Sequence, residues 1–198
     1  MSTRIKAILR VFGAVIALSS LIILPSLILA IIWSEPTVAP FAEAMLAPLI
    51  IGSLLWFVFR ENRYELRLRD GFLITGGIWF IASLVTAIPF YMALPNLSFT
   101  DAVFESVSGL TTTGATMFVG LDVMPKSLLF FRSSLSFFGG MGIVILAVAV
   151  LPMLKIGGMQ LFKAESTGPV KDNKLTLRIA ETARTLWFVY LGLNIICA

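Results

Sequence analysis

Residues 106–116 read SVSGLTTTGAT, three threonines and a glycine inside a 198-residue chain that is 58% hydrophobic and only 13% charged. A soluble domain carries about a quarter of its residues charged. The composition therefore excludes that class and points to an all-α integral membrane protein. In a bilayer a polar run is costly unless it is buried in protein or lines a water-filled cavity. The sequence has no histidine and one cysteine, Cys197. That removes the commonest metal ligand and general base, and any intrachain disulfide. No nucleophile–base pair and no metal constellation stands in or near the apolar segments, so the chain does not read as an enzyme. The net charge of +4 marks cytoplasmic loops in so apolar a chain and does not indicate nucleic acid.

On either side of the threonines lie two comfortable spans, Gly71 to Leu94 and Ser133 to Leu154. Val11 to Trp33 holds 23 uncharged residues, which as a helix cover ~35 Å and cross a ~30 Å core with some tilt. Ala44 to Phe59 is shorter, contains Pro48, and draws on Phe41 and Ala42 beyond Glu43. Thr185 to Ala198 is 14 residues, about 21 Å of helix, too little to span. It is expected to be a further span cut short. The opening MSTRIKAILR is basic, and no small-residue cleavage site follows, so the first apolar run is read as retained. All of the 15 basic residues except Lys126 and Arg132 fall before span one, between spans two and three, or after span four. Those segments, with the N-terminus, are expected on the cytoplasmic side. Glu35, Glu43, Asp101, Glu105 and Asp122 then give the other side an acidic bias.

Both ends of the threonine stretch thus return to the outer face. Asn96 to Pro125 leaves room for a hairpin that dips into the membrane and comes back. Ser98 or Thr100 can cap a short helix, with Asp101 in its first turn. From Asp101 to Leu110 that helix is about 15 Å long, half the core thickness. Gly120, Asp122 and Pro125 lead back to the surface. A dehydrated cation trades its water shell for other oxygens, which backbone carbonyls supply. Glycine at 114 permits dihedrals that other residues resist. Threonines favour extended backbone and add hydroxyls that coordinate or brace. From spacing alone, an ordinary polar turn between two helices is the favoured reading, because TTTG is short.

The stretch SFTDAVFESVSGLTTTGATMFVGLD, followed by FRSSLSFFGGMGIVILAVAVLPMLKIGGMQLF and AESTGPVKDNKLTLRIAETARTLW, resembles the first pore repeat of the membrane subunit of Trk-type potassium uptake systems. These belong to the Trk/Ktr/HKT superfamily, and the resemblance covers essentially the whole chain. It implies four membrane–pore–membrane repeats in one polypeptide about a pseudo-fourfold axis. Residues 1–70 would form a two-helix hairpin and residues 71–154 one repeat. That repeat comprises an outer helix 71–94, a pore helix 101–110, a filter 111–116 and an inner helix 127–154. Residues 155–184 would be a cytoplasmic linker and 185–198 the start of the next span. By the same resemblance Thr112, Thr113, Gly114 and Ala115 offer carbonyls to potassium, with Thr111 at the inner end of the filter. Ala115 stands where potassium channels place an aromatic, so some sodium or rubidium passage is expected.

Potassium is implied as the transported ion and not as a resident cofactor, crossing a bacterial inner membrane down its electrochemical gradient, with symport in view. The implied partners are membrane lipid, a second copy of the full-length transporter and a cytosolic nucleotide-binding gating ring of the TrkA type. No GxxxxGK[ST] or GxGxxG motif occurs here, so nucleotide would bind that partner. Glu105 is read as bracing the filter from behind, and Arg132 as snorkelling or pairing with an acid. Gly139, Gly140 and Gly142 are read first as close-packing residues, with an inner-helix hinge as the sharper alternative. One pore loop is a quarter of a ring, so the chain is expected to be a fragment unless four copies assemble. The rival reading is a membrane protein that packs or assembles without conducting.

Overall fold

The computed structural model describes residues 3–60, 68–150 and 171–197. Among them every regular element is helical: α1 (Thr3–Leu21), α2 (Leu24–Ile32), α3 (Val38–Val58), α4 (Leu68–Ala93), α5 (Phe99–Leu110), a short 3-10 turn at Leu121–Val123, α6 (Lys126–Val150) and α7 (Lys171–Cys197). Three of the described stretches are long and apolar enough to cross a membrane, Thr3–Ile32, Val38–Val58 and Leu73–Ala93. The fold is that of an all-α integral membrane protein. The chain divides into two compact units, Met1–Phe137 and Phe138–Ala198.

The first span departs from a single helix over 11–33. It begins at Thr3 and is interrupted after Leu21. Pro25 occupies the first turn of α2, where its missing N–H costs nothing. The chain tightens just before it, with Ile22 and Ile23 donating to the carbonyls of Ser19 and Ser20. An uncharged run shows the length of a crossing but not the break inside it. α3 starts six residues before Ala44, carrying Glu43 on an exposed face. α1 and α3 touch backbone to backbone. A Cβ added at Gly52 would lie 2.6 Å from the Gly13 carbonyl oxygen and the Ala17 nitrogen. In lipid, where apolar surface gains nothing by leaving water, such close approach supplies the packing energy.

Beside the start of α1, Asp70, in the first turn of α4, is buried. It receives Arg4 from α1 at 2.6 Å. Further along, the core gathers Ile23 and Leu27, Phe41 and Ala44, Phe90, Leu110, Phe118, Leu128, Phe131 and Leu135. Phe131 is its centre, with ring centroids 5.7 Å from Phe41 and 5.1 Å from Phe90. Phe90 also meets Phe118 edge-on at 5.4 Å. The aromatics thus tie α3, α4, the segment after the threonines and α6 into one cluster.

In the second unit, α7 begins at Lys171, inside the stretch expected to be linker. Gly157, Gly158 and Pro169 all precede it. Beyond them KLTLRIAETARTLW is rich in strong helix formers. Residues 151–154 of the expected inner helix and 155–170 of the linker lie outside the described residues.

Candidate functional site

α5 is a 12-residue helix, about 18 Å long against a ~30 Å membrane core. Ser98 is its N-cap, in extended backbone, and accepts from the Asp101 N–H at 3.1 Å. Ser106 anchors the helix laterally to α4, donating to the Ser83 carbonyl at 2.7 Å. Its hydroxyl also lies 2.7 Å from that of Thr86.

The helix closes on the threonines. The Thr112 N–H returns to the Gly109 carbonyl at 3.0 Å, and the Thr113 N–H to the Ser108 carbonyl at 2.9 Å. This is the paired 5→2 and 6→1 pattern of a Schellman motif, which needs a left-handed residue at its first position beyond the cap. Thr112 fills that position with φ +57°, where glycine is usual and a β-branched residue is an outlier. Gly114 is left-handed as well, with φ +80°. Thr111 and Thr112 are therefore not extended, as β-branching alone would have them, because the helix end claims their N–H groups first. The Thr111 hydroxyl donates to the Val107 carbonyl at 2.8 Å and lies 2.8 Å from that of Thr113.

Residues 111–116 are all exposed. The carbonyls of Gly114 and Ala115 have donors in the protein. Arg132 Nη2 reaches the first at 3.4 Å, and the Ser108 hydroxyl the second at 2.6 Å. Among the described residues no donor reaches the carbonyls of Thr111, Thr112 or Thr113. No group of three His, Cys, Asp or Glu among the described residues is placed to hold a metal. The carbonyl and hydroxyl oxygens of this exposed loop have the chemistry to meet a cation.

Behind the loop stands Glu105, completely buried. One carboxylate oxygen accepts from the Thr116 hydroxyl and from the N–H groups of Met117 and Phe118. The other accepts from Arg132 Nε at 3.1 Å. A buried carboxylate is tolerable only when paired and hydrogen-bonded, and this one is both. Glu105, counted in the acidic bias expected for the outer side, is therefore no surface charge, being buried and paired with Arg132. Sequence reasoning singled out Glu105 and Arg132 separately. It did not find Ser108, nor the contact of Thr116, inside the expected filter 111–116, with Glu105, since neither has a spacing signal of its own. Gly139, Gly140 and Gly142 lie on α6 in the second unit, the first buried and the others half-buried.

Fold and site together define a polytopic helical membrane protein in which a half-length helix feeds a polar loop braced by a buried acid. The family model described as TrkH, cation transport protein, matches residues 39–198, and the chain belongs to that family. It is a family of transport proteins, not of enzymes. The Trk system potassium uptake protein TrkH of Vibrio parahaemolyticus is 50% identical over 98% of this chain. The protein of that name from Escherichia coli K12 is 50% identical over the same share. The chain spans 40% of the length of each. The crystal structure of the potassium transporter TrkH from Vibrio parahaemolyticus aligns with a TM-score of 0.80 and 42% identity. That match covers 97% of this chain and 38% of the other.

Proposed function

We propose that this chain supplies one of the four pore repeats of a potassium uptake transporter, with Thr111–Thr116 as its share of the selectivity filter. The observation that carries the reading is the paired left-handed backbone at Thr112 and Gly114, set at the end of a half-membrane helix. Alternating handedness lets successive carbonyls point to one side of a loop, the arrangement a dehydrated cation requires. Thr112 and Thr113 contribute carbonyls that no described protein donor claims, and Gly114 and Ala115 extend the filter with carbonyls that share a second lone pair. Glu105 and Thr111 hold the loop in place. The C-terminal end of α5, with its partial negative charge, favours a cation at the same point.

Residues 1–70 act as the hairpin outside the repeat, and Gly139, Gly140 and Gly142 as the flexible point of the inner helix. The protein resides in a bacterial inner membrane with its N-terminus in the cytoplasm, dimerises as the full-length transporter, and takes its gating from a TrkA-like nucleotide-binding ring. Ions enter down their electrochemical gradient, with symport as the form of coupling.

The test is growth at low potassium of cells stripped of their own uptake systems. Two proteins are expressed, this chain alone and this chain joined to the remaining three fifths of the Vibrio parahaemolyticus relative. The joined protein is expected to restore growth, and Gly114→Ser to abolish it at an unchanged membrane level. Growth with the chain alone would replace the quarter-pore by a four-copy assembly. Growth of the joined protein that survives Gly114→Ser would overturn the filter reading.

A further inference from the structure

Two stretches far apart in sequence meet at the start of α6. The loop from Trp33 to Thr37 joins α2 to α3, in the hairpin. Its Glu35 carboxylate accepts from the N–H of Lys126 at 2.8 Å and of Ser127 at 3.1 Å. The Ser127 hydroxyl also donates to Glu35, and lies 2.8 Å from the buried hydroxyl of Thr37. The Lys126 ammonium stands 5.9 Å over the Trp33 ring. The first orphan N–H groups of α6, ordinarily met by a residue just before the helix, are met instead by an acid 91 residues away.

α6 then carries Arg132 five residues on, about 7.5 Å along the axis and roughly 140° around it from Ser127. Arg132 Nε holds Glu105 at 3.1 Å, and Nη2 reaches the Gly114 carbonyl at 3.4 Å. The second contact sits at the outer limit for an N–H···O bond, so a shift of α6 by about half an ångström would lose it.

We infer that Glu35 is a positioning residue for ion selection: it tethers the outer end of α6 to the hairpin and thereby sets where Arg132 holds the filter backbone. The inference rests on the reading of Thr111–Thr116 as the ion path, and extends it to a segment outside the pore repeat. The tether acts through one rigid helix and two side-chain contacts. Its loss moves discrimination between ions more than it moves membrane insertion. A cap alone would do otherwise, because any acceptor at the helix start stabilises α6 without fixing it to the hairpin.

The experiment uses the joined full-length protein and measures uptake of potassium and sodium, with KM and maximal rate for each. Glu35→Ala is expected to lower the preference for potassium by roughly fivefold to tenfold, the size of effect seen along coupled networks. Glu35→Asp, which keeps the carboxylate, should recover part of it. The deciding variant is Glu35→Ala with Pro125→Asp, which gives α6 a local N-cap and leaves the tether broken. Recovered membrane level with the preference still lowered supports the tether. Recovery of both shows that Glu35 is only a cap, and overturns the inference, as does Glu35→Ala with unchanged preference. If the alanine variants fail to reach the membrane, Glu35→Gln decides by the same readout, since it keeps one acceptor and the side-chain volume. A parent protein in which Gly114→Ser leaves uptake intact would refute the filter reading itself, separately from any Glu35 result.

Discussion

The hairpin and the pore loop are held together by opposite means. α1 and α3 meet through absent side chains, with Gly13 and Gly52 so close that a Cβ at either would lie within 2.8 Å of the other's carbonyl oxygen. α5, the threonine loop and α6 meet through polar ones, the Glu105–Arg132 pair and the hydroxyls of Ser106, Ser108 and Thr116. Close apolar packing tolerates a small slide, since dispersion is weak per atom and has no direction. Charge-assisted hydrogen bonds fix angles as well as distances. The difference teaches where precision is demanded: in the loop that is proposed to meet the ion, and not in the helices that carry it.

The sharpest way to break the comparison is at Gly114. A β-branched residue cannot hold φ +80° without strain, so Gly114→Val is expected to reduce uptake to background while insertion stays normal, checked by ion flux against membrane blot. Next comes Arg132→Met. It leaves the buried Glu105 carboxylate unpaired, at a cost of about 3–5 kcal/mol, read as a fall in thermal stability of purified protein. Adding Glu105→Gln should return part of that loss, because the uncompensated charge is then gone. On the hairpin side, Gly52→Leu forces backbone apart and is expected to cost about 1–3 kcal/mol. Ion preference should not change, since Glu35 lies at the other end of α3.

The smallest effect concerns acid. Desolvation pushes the Glu35 carboxyl up, but the bonds from Ser127, Lys126 and Thr37 together outweigh it and hold it below the usual range. Its stabilising contribution is therefore complete above the ordinary glutamate value near 4.3 and is lost as pH falls through the lower folded-state value. The parent should therefore be more stable than Glu35→Gln above about pH 4.3, and that difference should shrink as pH falls further, read by thermal melts across the pH series.

Much of this was legible in the chain. Charge-free runs located α3, α4 and α6, and Ser98 with Asp101 announced the start of α5. The break at Ile22–Ile23 was not legible, because the residues remain apolar across it and only Pro25 hints at the cause. α7 begins inside the stretch expected to be linker, because the charges from Lys171 to Arg184 bound only the apolar part of the helix. The Schellman turn was hidden because its left-handed residue is Thr112 and not glycine. Glu35 was invisible as a partner of α6, since no local pattern links residues so distant.

That last contact has a consequence for how the chain is threaded. Glu35 and Lys126 touch, so they lie on one side of the bilayer. If α3 and α4 each cross once, they together return the chain to the side it left. The count of crossings between the two residues must be even, so α5 and the loop behind it make no net crossing. The segment from Leu94 to Lys126 then begins and ends on one side, whichever way the protein faces.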